Sequence, residues 1–227
     1  MSLYWVLFIG ISLLSFIVQS MLQSRFNKYS QIPIDGGLTG RDVAERMLRE
    51  HGIYDVQVTC IPGALTDHYD PTKKTVNLSE AVYGSNSVMA AAVAAHECGH
   101  AVQHAVGYLP LKMRSALVPV VSFSSKIMIW VLLAGMLLLK VFPGLMLAGI
   151  ALFALTTLFS VVTLPVEINA SSRALAWLNQ TGITNYSNHP YAQKALRSAA
   201  YTYVVAALSS LATLFYYIML FTGGSRR

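Results

Sequence analysis

The chain has 227 residues, of which 55% are hydrophobic and only 11% charged, with a mean hydropathy of +0.52 and a formal charge of +6. A soluble globular domain carries about 25% charged residues, so much of this surface must face something other than water. The basic residues are scattered and flank apolar segments, a pattern of loops beside membrane spans rather than of a nucleic-acid-binding face.

Residues 3–22 form an apolar run long enough to cross a bilayer. A cleaved signal peptide would need a positive start and a small-residue cleavage site. Met1-Ser2-Leu3-Tyr4 and Gln23-Ser24-Arg25 offer neither, so residues 1–22 are expected to stay as an anchor. Residues 23–115 hold most of the charge and read as an aqueous segment. Thr39 is an expected N-cap for a helix whose apolar residues Val43, Met47 and Leu48 recur at helical spacing, and His51-Gly52 ends it. Val56 and Val58 alternate with Gln57 and Thr59 as on a half-buried strand, and 75–78 return as another. A small two- or three-stranded sheet follows, and the strand at 75–78 is a candidate edge for an extended substrate. Ser85-Asn86-Ser87 caps an alanine-rich helix over 88–106, which Gly107 closes and Pro110 prevents from continuing.

The remainder is membrane-like. A second span is expected over 118–139, with Lys126 as its only charge, and a turn at 140–144. A third span, 145–164, is closed by Pro165; a polar helix over 167–179 and a loop through Pro190 follow. The fourth span covers 199–221. The expected fold is mainly α and integral to the membrane: about four transmembrane helices and a small α+β zincin-like catalytic segment. The expected divisions are an anchor (1–22), a catalytic segment (23–115), two spans (116–165), a further helix and loop (166–198) and a last span (199–227).

His96-Glu97-Cys98-Gly99-His100 fits H-E-x-x-H inside the alanine-rich helix. Residues four apart share a helical face, so both imidazoles can meet one ion, while Glu97 can reach a water beside it. A chance match occurs in roughly one chain of this length in a hundred. An ordinary helix would have to bury His, Glu and His among alanines and valines without partners, which is unfavourable. Gly99 allows another backbone to come close. Cys60 and Cys98 lack the spacing of a disulfide framework or a zinc knuckle and read as reduced thiols.

A catalytic zinc needs a third protein ligand and an open position. One subclass supplies a third His ten positions after the first, but position 106 is Val106, and position 103 is Gln103. His104 shares the four-residue spacing, yet one straight helix does not readily give three tetrahedral ligands, so it reads as an outer or surface residue. Glu167, in Leu164-Pro165-Val166-Glu167, is the better third ligand. Two spans separate it from His100, so the chain crosses and returns, and both lie on one side.

Asp67-His68-Tyr69-Asp70-Pro71, the His96–His104 run and the Leu164–Ala174 run together resemble the YugP-type neutral zinc metallopeptidases of bacteria. The resemblance covers nearly the whole chain. It implies a membrane zinc peptidase with Glu167 as ligand, and it leaves the outer partners of the histidines open, because some related sites have an acidic residue where Asn169 or Ser171 stands.

The expected chemistry is peptide hydrolysis at Zn2+ held by His96, His100 and Glu167, with Glu97 as general base. Tyr203, Tyr201, Arg173, Arg197, His189 and His68 are candidate oxyanion donors; Tyr203, near the start of the last span, is preferred. The expected partners are a protein or peptide substrate and the lipid bilayer. Seven basic residues flank spans on the catalytic side (Arg25, Lys28, Lys112, Arg114, Arg173, Lys194, Arg197), against Lys140, Arg226 and Arg227 on the other. That bias places the active site in the cytoplasm of a multi-pass cell-membrane protein. The alternatives are a non-catalytic zinc-binding scaffold in membrane quality control and a transport component. A transport site lies at midplane, and H-E-x-x-H lies in the aqueous segment.

Overall fold

Helix α1 (Leu3–Tyr29) begins the chain in a computed structural model that describes residues 3–224. Met1, Ser2, Arg226 and Arg227, weighed above for the anchor and for orientation, lie outside those residues. The elements that follow are α2 (Gly40–Glu50), β1 (Gln57–Ile61), β2 (His68–Asp70), β3 (Thr75–Ser79) and α3 (Glu80–Tyr83). Helices α4 (Val88–Ala105), α5 (Leu109–Leu137), α6 (Pro143–Gln180) and α7 (His189–Gly224) complete the chain. Contacts divide it into two units. One takes the chain up to Phe16, Lys112–Pro165 and the chain from Thr202; the other takes Ile17–Leu111 and Val166–Tyr201.

The first unit is built from the apolar parts of long helices. Four helices are long and apolar enough to cross a membrane: Trp5–Tyr29, Leu109–Leu137, Pro143–Gln180 and His189–Gly223. Leu132, Met146 and Ile150 are its buried centre, with Phe153, Leu214 and Tyr217 packed around them. Gly135 makes close packing of α5 and α6 possible, because a Cβ there would lie 2.6 Å from the Met146 Cα. Small residues at such contacts let membrane helices approach where no hydrophobic force drives them together. Thr157 and Thr163 donate their hydroxyls to the carbonyls of Phe153 and Phe159 one turn back, so no hydroxyl proton is left in an apolar surrounding.

The second unit has a conventional core. Thr39 caps α2 in a reciprocal box: its Oγ1 accepts from the Asp42 backbone N–H at 3.2 Å, and Asp42 accepts from the Thr39 N–H at 2.8 Å. Val43, Met47 and Leu48 face inward as their spacing requires. The sheet order is β1-β3-β2, with β3 parallel to β1 and antiparallel to β2. Val76 and Leu78 of β3 are fully buried, each contributing about 1.5–3 kcal/mol. Asn77 points the other way and pairs in register with Thr59 and His68. Asp67 accepts hydrogen bonds from the Ser79 N–H and hydroxyl, and Asp70 closes the β2–β3 turn by accepting from the Thr72 and Lys73 N–H groups. Two acids of the Asp67–Pro71 motif are therefore turn and strand fasteners.

Four sequence expectations change. The strand at 75–78 is the centre of the sheet, so both its edges are already paired and a substrate strand cannot add there. Helix α5 begins at Leu109, because Pro110 sits in the first turn, where its missing N–H has no intrahelical partner anyway. Pro190 occupies the same position in α7, which starts ten residues before the expected span. Pro165 does not close the third span: α6 continues for 38 residues to Gln180. A helix of that length is about 57 Å long, nearly twice a hydrocarbon core of about 30 Å. The residues after Pro165 are therefore more than such a core needs.

Candidate metal centre

Helix α4 carries the first two groups of the site. Ser87 starts it by accepting from the Ala90 N–H at 3.1 Å, and Gly107 ends it at φ +65°. Fourteen of its eighteen residues are buried, mostly alanine and valine, which leaves room for neighbours on nearly every side. His96 and His100 lie one turn apart with ring centroids 4.8 Å apart and planes at 82°. The second element is the extension of α6. Gly99 lets it come close, since a Cβ there would lie 2.7 Å from the Ala170 carbonyl oxygen.

That approach brings Glu167 to the histidines. Its Oε2 is 3.3 Å from His96 Nε2 and 3.6 Å from His100 Nε2. One ligand atom from each of the three residues fits within 4.8 Å of the others, the only such group among the described residues. Glu167 and His100 are buried, and His96 is half-buried. Tetrahedral zinc with bonds of about 2.0–2.1 Å separates its ligand atoms by about 3.3–3.4 Å. The donor types fit such an ion, and so do the two spacings from Glu167 to the histidines.

Each imidazole turns its Nε2 inward and its Nδ1 outward. His96 Nδ1 is 3.1 Å from Ser171 Oγ, and His100 Nδ1 is 3.1 Å from Gln103 Oε1. A metal-facing Nε2 must be unprotonated, so Nδ1 carries the hydrogen and donates to these oxygens. Without an ion, burial lowers the His100 pKa, but hydrogen bonding to Glu167 and the charges of Glu97 and Glu167 outweigh it and hold the ring above its ordinary value.

Glu97 is buried on α4 between the two histidines in sequence. Cys98 points away: its thiol is fully buried against the Ala44 carbonyl oxygen at 3.5 Å, and burial, followed by the charge of Glu97, pushes its pKa well up. It is no metal ligand in that state. Cys60 is exposed on β1, and both cysteines are free. His104 is an exposed residue whose Nδ1 contacts the Tyr69 hydroxyl at 3.2 Å.

The oxyanion candidates are spread out. Tyr203 is exposed on α7 and belongs to the membrane-type unit. His189 starts α7 and contacts Thr184 Oγ1, and His68 is an exposed residue of the sheet. Arg173 donates to Asn169 Oδ1 at 2.7 Å on α6. Sequence reasoning left Gln103 aside because it was not a histidine. It is fully buried.

Residues 4–222 match the family described as "Putative neutral zinc metallopeptidase". The chain is 44% identical over 211 residues to the "Putative membrane protease YugP" of Bacillus subtilis, covering 93% of each. No solved structure matches. With the match running almost end to end and the motif helix and the Glu167 helix meeting at one point, the chain belongs to the putative neutral zinc metallopeptidase family.

Proposed function

We propose that this protein is a membrane-embedded zinc-dependent endopeptidase in which His96, His100 and Glu167 hold the ion and Glu97 is the general base. The observation that carries the reading is the convergence of three donor atoms from two helices, with Glu97 next to His96 in the chain and outside that set. A zinc ion there would supply Lewis acidity, acidifying a water molecule and polarising a peptide carbonyl. Glu97 takes the proton of the attacking water and delivers it to the leaving amine, so one carboxylate serves as base and then as acid. Ser171 and Gln103 keep both imidazoles in the tautomer that leaves Nε2 free. Glu167 supplies the negative charge that makes a buried His–His–carboxylate set favourable for a dication.

The preference for Tyr203 as oxyanion donor rests on the sequence argument; Tyr203→Phe should lower kcat and leave KM close to its starting value. The seven-to-three bias of basic residues supports a cytoplasmic site. Exposed Cys60 is a native reporter for it: a membrane-impermeant thiol reagent should label it only in broken cells, and labelling in intact cells would place the site outside.

Glu97→Gln in purified, zinc-loaded protein tests the chemistry. Zinc should stay bound while cleavage of a protein substrate falls by about 10²–10⁴-fold. Undiminished cleavage by that variant would remove Glu97 from the mechanism.

A further inference from the structure

Gln103 touches both sides of the centre. Its Oε1 lies 3.1 Å from His100 Nδ1. Its Nε2 donates to the Val166 carbonyl oxygen at 2.8 Å and to Asn169 Oδ1 at 3.0 Å. The Val166 carbonyl belongs to the peptide unit that leads into Glu167. One side chain thus grips a ligand on α4 and the backbone that carries the other ligand on α6. Its amide orientation follows from these partners, because only the NH2 end can donate to two carbonyl oxygens, and the oxygen is left for the imidazole N–H.

The rest of the network fixes the far end. Asn169 Oδ1 accepts a second hydrogen bond, from Arg173 Nε at 2.7 Å. His100, Gln103, Asn169 and Arg173 therefore form a continuous chain of hydrogen bonds across the α4–α6 contact. Gln103 is fully buried, where an unpaired amide is unfavourable, so alternative placements that break one bond are disfavoured together. Among the described residues the Nδ1 partners are neutral: His96 faces a serine and His100 a glutamine. The imidazoles are held by neutral acceptors, and the negative charge of the three-residue set is confined to Glu167.

We propose that Gln103 is the positioning residue of the metal centre, setting the orientation of His100 and the distance of Glu167 at once, with Asn169 and Arg173 holding it in place. The inference rests on the zinc reading above, but its own claim concerns geometry and affinity and not cleavage. Outer hydrogen-bond partners of this kind are worth about 10–100-fold in metal affinity. A link that also holds a second ligand should sit at the upper end of that range.

The test uses the full-length protein in detergent. Zinc affinity is measured by competition with a chromophoric chelator, and the site is reported separately by the visible spectrum of the Co2+-substituted protein. Gln103→Met keeps the volume and removes every bond; it should weaken zinc binding by about 100-fold and shift the cobalt bands. Ser171→Ala, which frees only one imidazole, should have a smaller effect. Asn169→Ala should also weaken binding, and the Gln103→Met, Asn169→Ala double variant should be no weaker than Gln103→Met alone, because both act through one link. A merely structural glutamine would give additive losses and an unshifted spectrum. Wild-type affinity in Gln103→Met overturns the proposal. If that variant does not fold, wild-type affinity and cobalt bands in Asn169→Ala overturn it instead. Failure of the unmodified protein to bind zinc or cobalt would overturn the zinc reading itself, and is thereby distinguished.

Discussion

Along α4, fourteen of eighteen residues are buried; along α5, Phe123, Trp130 and Leu137 stand 68, 70 and 86% exposed. Both helices are rich in apolar residues, for opposite reasons. α4 is apolar because protein surrounds it, and its small side chains let neighbours close in on two histidines and a glutamate. α5 is apolar although its outer side chains are exposed, as expected for a helix whose surround is lipid. The contrast explains where chemistry can sit. A buried polar set needs partners on every side, which α4 obtains from α6 at Gly99, Gln103 and His96.

Variants at the two helices should separate these roles. The largest effect belongs to the shared ligand: Glu167→Ala should strip the purified protein of zinc on dialysis, a larger loss than the roughly 10–100-fold of an outer partner. Full metal content by elemental analysis would remove Glu167 from the site.

Next comes pH. The folded-state pKa of His100 is raised, so its contribution to metal-free stability is complete below the unfolded value of about 6.5 and is lost as pH rises through the folded value. Zinc must displace that proton, so affinity should rise by about tenfold per pH unit below the folded value and level off above it. A flat profile between pH 5 and pH 8, the range of roughly neutral imidazole titration, would contradict the coupling.

Gly99→Ala should then act through packing. Its new methyl meets the Ala170 carbonyl, at about 1–3 kcal/mol of lost stability. Zinc affinity should fall with it, because α6 moves and carries Glu167. A similar thermal loss is expected for Ala92→Leu in the buried core, but for Trp130→Leu on the exposed side of α5 the change should stay within about 0.5 kcal/mol. Equal sensitivity of Ala92 and Trp130 in thermal melts would break the comparison between the helices.

Local signals in the sequence located the Thr39 and Ser87 caps, the ends of α4 and the pairing of His96 with His100, because each depends on neighbours within a turn or two. Glu167 was reached by counting spans, a topological rather than a local argument. Strand β2 was hidden because it has three residues among turn formers, and only register with β3 makes it a strand. The prolines were legible only in part. Pro110 does mark the end of α4 but also sits in the first turn of α5, Pro190 sits in the first turn of α7, and Pro165 lies inside a helix that continues through it. Gln103 was invisible as a site residue because its meaning comes from Val166 and Asn169, more than sixty positions away. A residue that joins two ligand helices has no signature on either one alone.

Zinc K-edge X-ray absorption on the purified, zinc-loaded full-length protein tests the centre most directly. The account predicts nitrogen and oxygen donors only, at about 2.0–2.1 Å, with the multiple scattering of two imidazoles, and no sulfur. A sulfur shell at about 2.3 Å, from Cys98 or Cys60, or a single imidazole, would contradict it.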